Sequence, residues 1–91
     1  MKYQIKHTKT FKKNLKKHKN DLATLDLIES IIDKLANDRI LESKHKDHKL
    51  QGEYEGFREC HVKPDLLLIY RKDSINLILI CIDIGSHGDL F

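Results

Sequence analysis

Four histidines from residue 45 onward, His45, His48, His61 and His87, are the residues best suited to chemistry. Imidazole is the side chain whose charge changes near neutral pH, so it moves protons and binds metals. Asp65 follows His61 by four residues across a Lys63-Pro64-Asp65 turn, and Glu59 precedes His61 by two. Two chemistries could use such a set. His45-x-x-His48 with nearby acids could hold a metal ion, although loop residues have no fixed ligand spacing. Alternatively, two imidazoles could cleave RNA. One group takes the 2′-hydroxyl proton, a second protonates the leaving 5′-oxygen, and cations meet the phosphate charge. That reaction needs no metal and leaves a 2′,3′-cyclic phosphate. The competing reading is surface or core histidines, and it is the better one for His7 and His18, which stand alone.

Whether these residues meet depends on the elements that carry them. Residues 2–7 alternate weakly and read as a short strand. Thr8 can cap a helix over 9–19 that has Phe11 and Leu15 on one face and Lys elsewhere. Asn20 or Asp21 can cap a second helix over 21–37. Its stripe is Leu25, Ile28, Ile32 and Leu35, widened by Leu22 and Ile31. Between 37 and 53 the apolar pattern lapses, which predicts a long loop. Tyr54–Val62 then alternates. Cys60 and Val62 look like its core side, with Arg58 on the same face, so Glu59 and His61 point the other way. Leu66–Lys72 and Ile75–Ile84 read as a hairpin around Asp73-Ser74, the latter apolar on both faces and therefore central. The predicted fold class is α+β, in the order β-α-α-β-β-β. It has one mostly antiparallel four-stranded sheet and a two-helix hairpin packed on one face. His48 enters the first strand of the hairpin region and His87 leaves the last. His48, His61 and His87 can then converge at one sheet edge, on the face without helices.

Composition sets the frame. At 91 residues and 10.7 kDa the chain reads as a single domain over 1–91. Forty per cent apolar and 34% charged residues exclude disorder as the default. Cys60 and Cys81 sit inside strand patterns and read as buried free thiols, and no CxxC pair suggests a zinc ribbon. There is no Gly-rich phosphate loop or dinucleotide fingerprint. No apolar stretch is long enough to cross a membrane and no apolar h-region follows the start, so a cytoplasmic setting without membrane partners is expected. Charge is divided unevenly: residues 1–49 carry a net +6 and residues 50–91 a net −3. Seven Lys and no acid lie between Lys6 and Lys19, a block that attracts polyanions or is simply a solvated helix face.

Three strings in the second half are more specific. Lys46-Asp47-His48-Lys49-Leu50-Gln51-Gly52, Gly56-Phe57-Arg58-Glu59-Cys60-His61-Val62-Lys63-Pro64-Asp65 and Gly85-Ser86-His87 with Leu90-Phe91 resemble the YafQ branch of the RelE-like toxins. The resemblance is dense over 46–91. It implies a toxin of a type II toxin–antitoxin pair, an mRNA endoribonuclease acting on the ribosome without a cofactor or metal. A cognate antitoxin would occlude the site, and operator DNA would be bound only through the antitoxin complex. The family's catalytic residues fall on His48, His61, Asp65, His87 and Phe91. His87 would transfer a proton, with His48 and His61 as partners in acid catalysis and phosphate binding. Asp65 would orient His61, and Phe91 would stack on a base. Glu59 and Arg58 are supporting candidates. RNA contacts would fall to Lys12, Lys13, Lys16 and Lys17 and to Lys46 and Lys49 beside His48. Two positions depart from the family. Leu66 follows Asp65 where part of the branch has Trp, and Asp83 stands where the family often has Arg. An Asp there would repel the developing phosphorane charge, so the alternative is a weak or inactive homologue that binds RNA or antitoxin.

The Lys block makes a direct prediction. Replacing Lys12, Lys13, Lys16 and Lys17 together should weaken RNA or ribosome binding and flatten its salt dependence by several counterions, at roughly 0.7 per lost single-strand phosphate contact. Equal slopes for variant and parent would reduce the block to a solvated face.

Overall fold

The computed structural model describes residues 2–91. Strand β1 is Gln4–His7, and Thr8 then turns the chain into helix α1, Lys9–Leu15. The Thr8 hydroxyl accepts from the Phe11 N–H at 3.0 Å and donates to the Ile82 carbonyl at 2.6 Å. One side chain thus caps the helix and ties it to a distant strand. The helix is shorter than the predicted 9–19, because residues Lys16–His18 tighten into a 3₁₀ turn. Helix α2 is Leu22–Ala36. Asp21 is its N-cap, accepting from the Thr24 N–H at 3.1 Å. Its buried stripe is Ile28, Ile31, Ile32, Leu35 and Ala36. Leu22, the first residue of the helix and assigned to that stripe by spacing, is 72% exposed.

Strands β3 (Arg58–Lys63), β4 (Leu66–Asp73) and β5 (Ile78–Gly85) form the antiparallel centre. β1 runs parallel to β5, and the spatial order is β1-β5-β4-β3-β2. The sheet therefore has five strands rather than four. The extra one, β2, is the two residues His48–Lys49 inside the segment read as a loop, paired antiparallel to Glu59 and Arg58. Cys60, Val62, Leu68, Tyr70, Leu79, Cys81 and Ile84 join Phe11 and the α2 stripe in one core.

Three boundaries move for local reasons. Tyr54 belongs to a 3₁₀ turn, Gly52–Tyr54, and Gly56 has φ +94°, so the strand begins only at Arg58. β5 begins at Ile78, because the Asp73 carboxylate accepts from the Ile75 and Asn76 N–H groups and widens the turn. Ile75 is left 90% exposed. A bulge between Ile69 and Tyr70 pairs Tyr70 with Cys81 but Ile69 with Asp83. Ile82 is skipped, so the end of β5 is re-aimed. Gly85 arrives opposite Leu67, which itself lies opposite His61. Among the described residues no helix is long and apolar enough to cross a membrane.

Burial pushes both thiols, Cys60 and Cys81, up to about 12. The raised value favours the neutral thiol in the folded state, an effect fully present below pH 9 and lost as pH rises towards 12. Neither should react with a disulfide reagent at pH 8 until the protein unfolds. Rapid labelling of the folded chain would contradict the core placement of these residues.

Candidate active site

His61 sits on β3 on the face away from the helices, and its side chain is only 14% exposed. Its Nδ1 lies 3.2 Å from the Pro64 carbonyl, and its Nε2 lies 3.5 Å from Oε1 of the buried Glu59. A carbonyl can only accept, so Nδ1 carries a proton.

His87 arrives from the opposite side. After Gly85 the chain turns into a one-turn helix, α3, His87–Leu90. Ser86 caps it, its hydroxyl accepting from the Asp89 N–H at 3.2 Å while the Asp89 carboxylate accepts from the Ser86 N–H at 3.3 Å. A β-carbon on Gly85 would stand 3.2 Å from Asp89 Cβ, so glycine lets the turn fold back tightly. The His87 ring centroid is 5.6 Å from that of His61. The Asp65 carboxylate accepts from the His87 N–H and lies 3.3 Å from His87 Nδ1. Asp65 therefore orients His87, not His61, because the Pro64-Asp65 turn projects it towards the tail. With a proton on Nδ1 for Asp65, Nε2 of His87 is open to accept one.

Other predicted residues are placed as follows. His48 is exposed on β2 and in register with Glu59, which puts it on the same face as His61 one strand further out. Phe91 stands edge-on to Tyr54, ring centroids 5.3 Å apart, and 6.4 Å from His87. Lys12, Lys13, Lys16 and Lys17 are exposed, as are Lys46 and Lys49. Lys17 lines a groove with Asn14, His18, Asp65 and Ser86, so the basic block opens onto the edge of the histidine cluster. Arg58 does not support the cluster. It lies on the helix-side face, bonded to Asp47 and Tyr70. His45 is also elsewhere in purpose: buried, with Nδ1 2.6 Å from the His61 carbonyl, it closes the edge of β3. The pair His45 and His48 is thus no metal motif. Instead Glu59, His61 and His87 each bring one possible ligand atom within 4.8 Å of the others. Asp83 is held by Asn14 Nδ2 at 2.6 Å and by the Ile84 N–H at 2.8 Å, which joins α1 to β5. Tyr54 and the Ser86–Asp89 box were missed from the sequence. The Ser-x-x-Asp spacing was the available signal for the box.

Two imidazoles with ring centroids 5.6 Å apart, backed by carboxylates and beside a groove that Lys17 helps to line, match the strings that resemble one toxin family. The family described as the bacterial toxin of type II toxin–antitoxin systems, YafQ, matches residues 3–91. The chain belongs to the YafQ family. The mRNA interferase toxin YafQ of Escherichia coli strain K12 is 34% identical over 89 residues, covering 98% of this chain and 91% of that protein. A metal-bound toxin from Helicobacter pylori has a similar structure, with TM-score 0.90 and 39% identity over 98% of this chain and 99% of its own. The YafQ of the E. coli DinJ–YafQ toxin–antitoxin complex superposes with TM-score 0.85 at 28% identity, over 100% of this chain and 99% of that one.

In this YafQ-family chain the tail depends on a carboxylate. Bonds from Ser86, backbone first and then side chain, hold the Asp89 carboxyl below its ordinary value of 3.8. The stabilisation is present above pH 3.8 and lost as pH falls through the lowered folded value. Acidification below that point should therefore release α3 before the sheet, and Asp89→Ala should release it at pH 7. Loss of the Tyr54–Phe91 NOE would report it. An NOE that survives the substitution would show that Phe91 packs independently of the box.

Proposed function

We propose that this YafQ-family toxin, an mRNA endoribonuclease, cuts translated mRNA on the ribosome by metal-independent general acid–base catalysis. The observation that carries the reading is the pair of imidazoles, each with one nitrogen tied to a fixed acceptor. His87 Nε2 takes the proton from the 2′-hydroxyl. The freed 2′-oxygen attacks phosphorus, and the bond to the 5′-oxygen breaks as His61 protonates it. The products are a 2′,3′-cyclic phosphate and a 5′-hydroxyl. His48, next to Glu59, binds the phosphate on the outer side. Phe91 offers a stacking surface for a base, and the exposed lysines bind the flanking phosphates. With Asp83 bonded to Asn14 and Arg58 on the other face, the cations available to the transition state are imidazolium and ammonium groups. A cognate antitoxin, as DinJ is for the E. coli toxin, covers this face and carries operator binding.

A second reading has a specific observation behind it. Glu59, His61 and His87 could hold a cation, and a similar H. pylori toxin is described as metal-bound. A metal there would occupy the nitrogen lone pairs that proton transfer needs.

Replacing His87 or His61 by Ala should lower cleavage by about 10²–10⁴-fold. A substrate with sulfur in place of the 5′-oxygen has a leaving group that needs no acid. It should restore the His61 variant and not the His87 variant. EDTA should leave the parent rate unchanged. A rate that EDTA abolishes and a divalent ion restores would favour the metal reading, and a His87→Ala loss below about threefold would end the proton-transfer role. Growth arrest by both parent and His87→Ala without new mRNA ends would mean toxicity by binding alone.

A further inference from the structure

β2 is an anomaly. It is two residues long, both are exposed, and the segment around it has no apolar pattern. Two ladder pairs do not hold an edge strand in register. A slip of one residue would turn His48 to the helix-side face. Something else must fix the register, because His48 stands opposite Glu59.

The fixing group is Asp47, the residue before His48. Its Oδ1 accepts from the Tyr70 hydroxyl at 2.5 Å, and Arg58 Nε and Nη2 both lie 3.3 Å from it. Arg58 Nε also donates to the Tyr70 oxygen at 3.1 Å. Lys49, Arg58 and Tyr70 form one row across β2, β3 and β4. His48, Glu59 and Ile69 form the next. Tyr70 is 1% exposed on the central strand, so the network is anchored in the core. Burial pushes the Tyr70 phenol up from its ordinary value, and the Asp47 carboxylate reinforces this, so the hydroxyl remains a donor. On the other side of Lys46, which takes φ +46°, buried His45 bonds to the His61 carbonyl. The segment is thereby pinned at both ends of one tight turn.

We infer that Asp47, Arg58 and Tyr70 are positioning residues that set the register of β2 and so hold the His48 imidazole on the catalytic face. None of the three touches the reacting groups. Asp47 and Arg58 belong to the same strings as the histidines yet lie on the opposite face of the sheet, where they have no part in the proton transfers. For catalysis this inference rests on the reading of His48 proposed above.

The test uses Tyr70→Phe and Asp47→Asn in the full chain. The Leu50 amide, which donates to the Phe57 carbonyl at 3.0 Å, reports the β2 end, and the Leu68 amide on β4 reports the core. Hydrogen exchange at Leu50 should accelerate by about tenfold or more while Leu68 is unchanged. The RNA-cleavage kcat should fall on the order of tenfold with KM nearly constant, and this loss should vanish in a His48→Ala background. If Tyr70→Phe also accelerates Leu68, Arg58→Lys carries the same measurements, because it keeps the charge and loses the planar fork. Unchanged Leu50 exchange in the variants overturns the inference. So do equal losses of kcat with and without His48. Faster Leu50 exchange combined with full activity of His48→Ala would support the clamp and instead refute the catalytic role of His48.

Discussion

The structure depends on β4 being buried on both faces. Leu66, Leu68 and Tyr70 pack in the core with Phe11 and the α2 stripe, while Leu67 and Ile69 are buried on the other side, which α2 does not cover. A chain of 91 residues supplies only one helical layer. The second face of β4 must therefore be covered by what flanks it. The register supplies that cover: Leu67 lies between His61 and Gly85, and Ile69 between Glu59 and Asp83. The candidate site is thus no cavity cut into a finished core. Its polar side chains and the returning tail shield the central strand, so the same contacts that complete the fold bring His61 and His87 together.

That dependence explains what could be read in advance. The apolar stripe of α2, the Thr8 cap and the alternation at Cys60 and Val62 are local patterns with a period. The face of Glu59 and His61 follows from the same alternation. β2 could not be read, because its strand character comes from pairing with β3 and from the Asp47 bonds, neither of which leaves a periodic trace. The partner of Asp65 was misread for a similar reason. Four residues from His61 is close in sequence, but the bulge in β5 delivers His87 to the same turn. Sequence proximity is a weak guide where a skipped residue re-aims the end of a strand.

The charges follow the same logic of faces. Asp83, expected to repel a phosphate, is bonded to Asn14, and Arg58, a supporting candidate that the alternation already set on the helix side, is bonded to Asp47. Each is half of a contact between elements far apart in sequence. A partly buried carboxylate or guanidinium needs such a partner, so its structural bond takes precedence over a role in solvent. The open face is left with groups that can change protonation, together with mobile ammonium groups at its rim.

The two imidazoles are held to different degrees. His61 is on an inner strand, 14% exposed, with both nitrogens near acceptors. His87 is 58% exposed on a single helical turn. Its contact with Asp65, itself 73% exposed, is a surface interaction of the kind that contributes under about 1 kcal/mol. The remaining anchors are the capping box and the edge contact between Phe91 and Tyr54, all at the surface. On the proposed assignment, a fixed acid and a lightly held base suit a site that must admit an RNA strand. They also make the tail the element most easily displaced. An antitoxin that lifts α3 would separate the two imidazoles, because His61 is held from β3 by its Pro64 and Glu59 contacts while His87 travels with the tail.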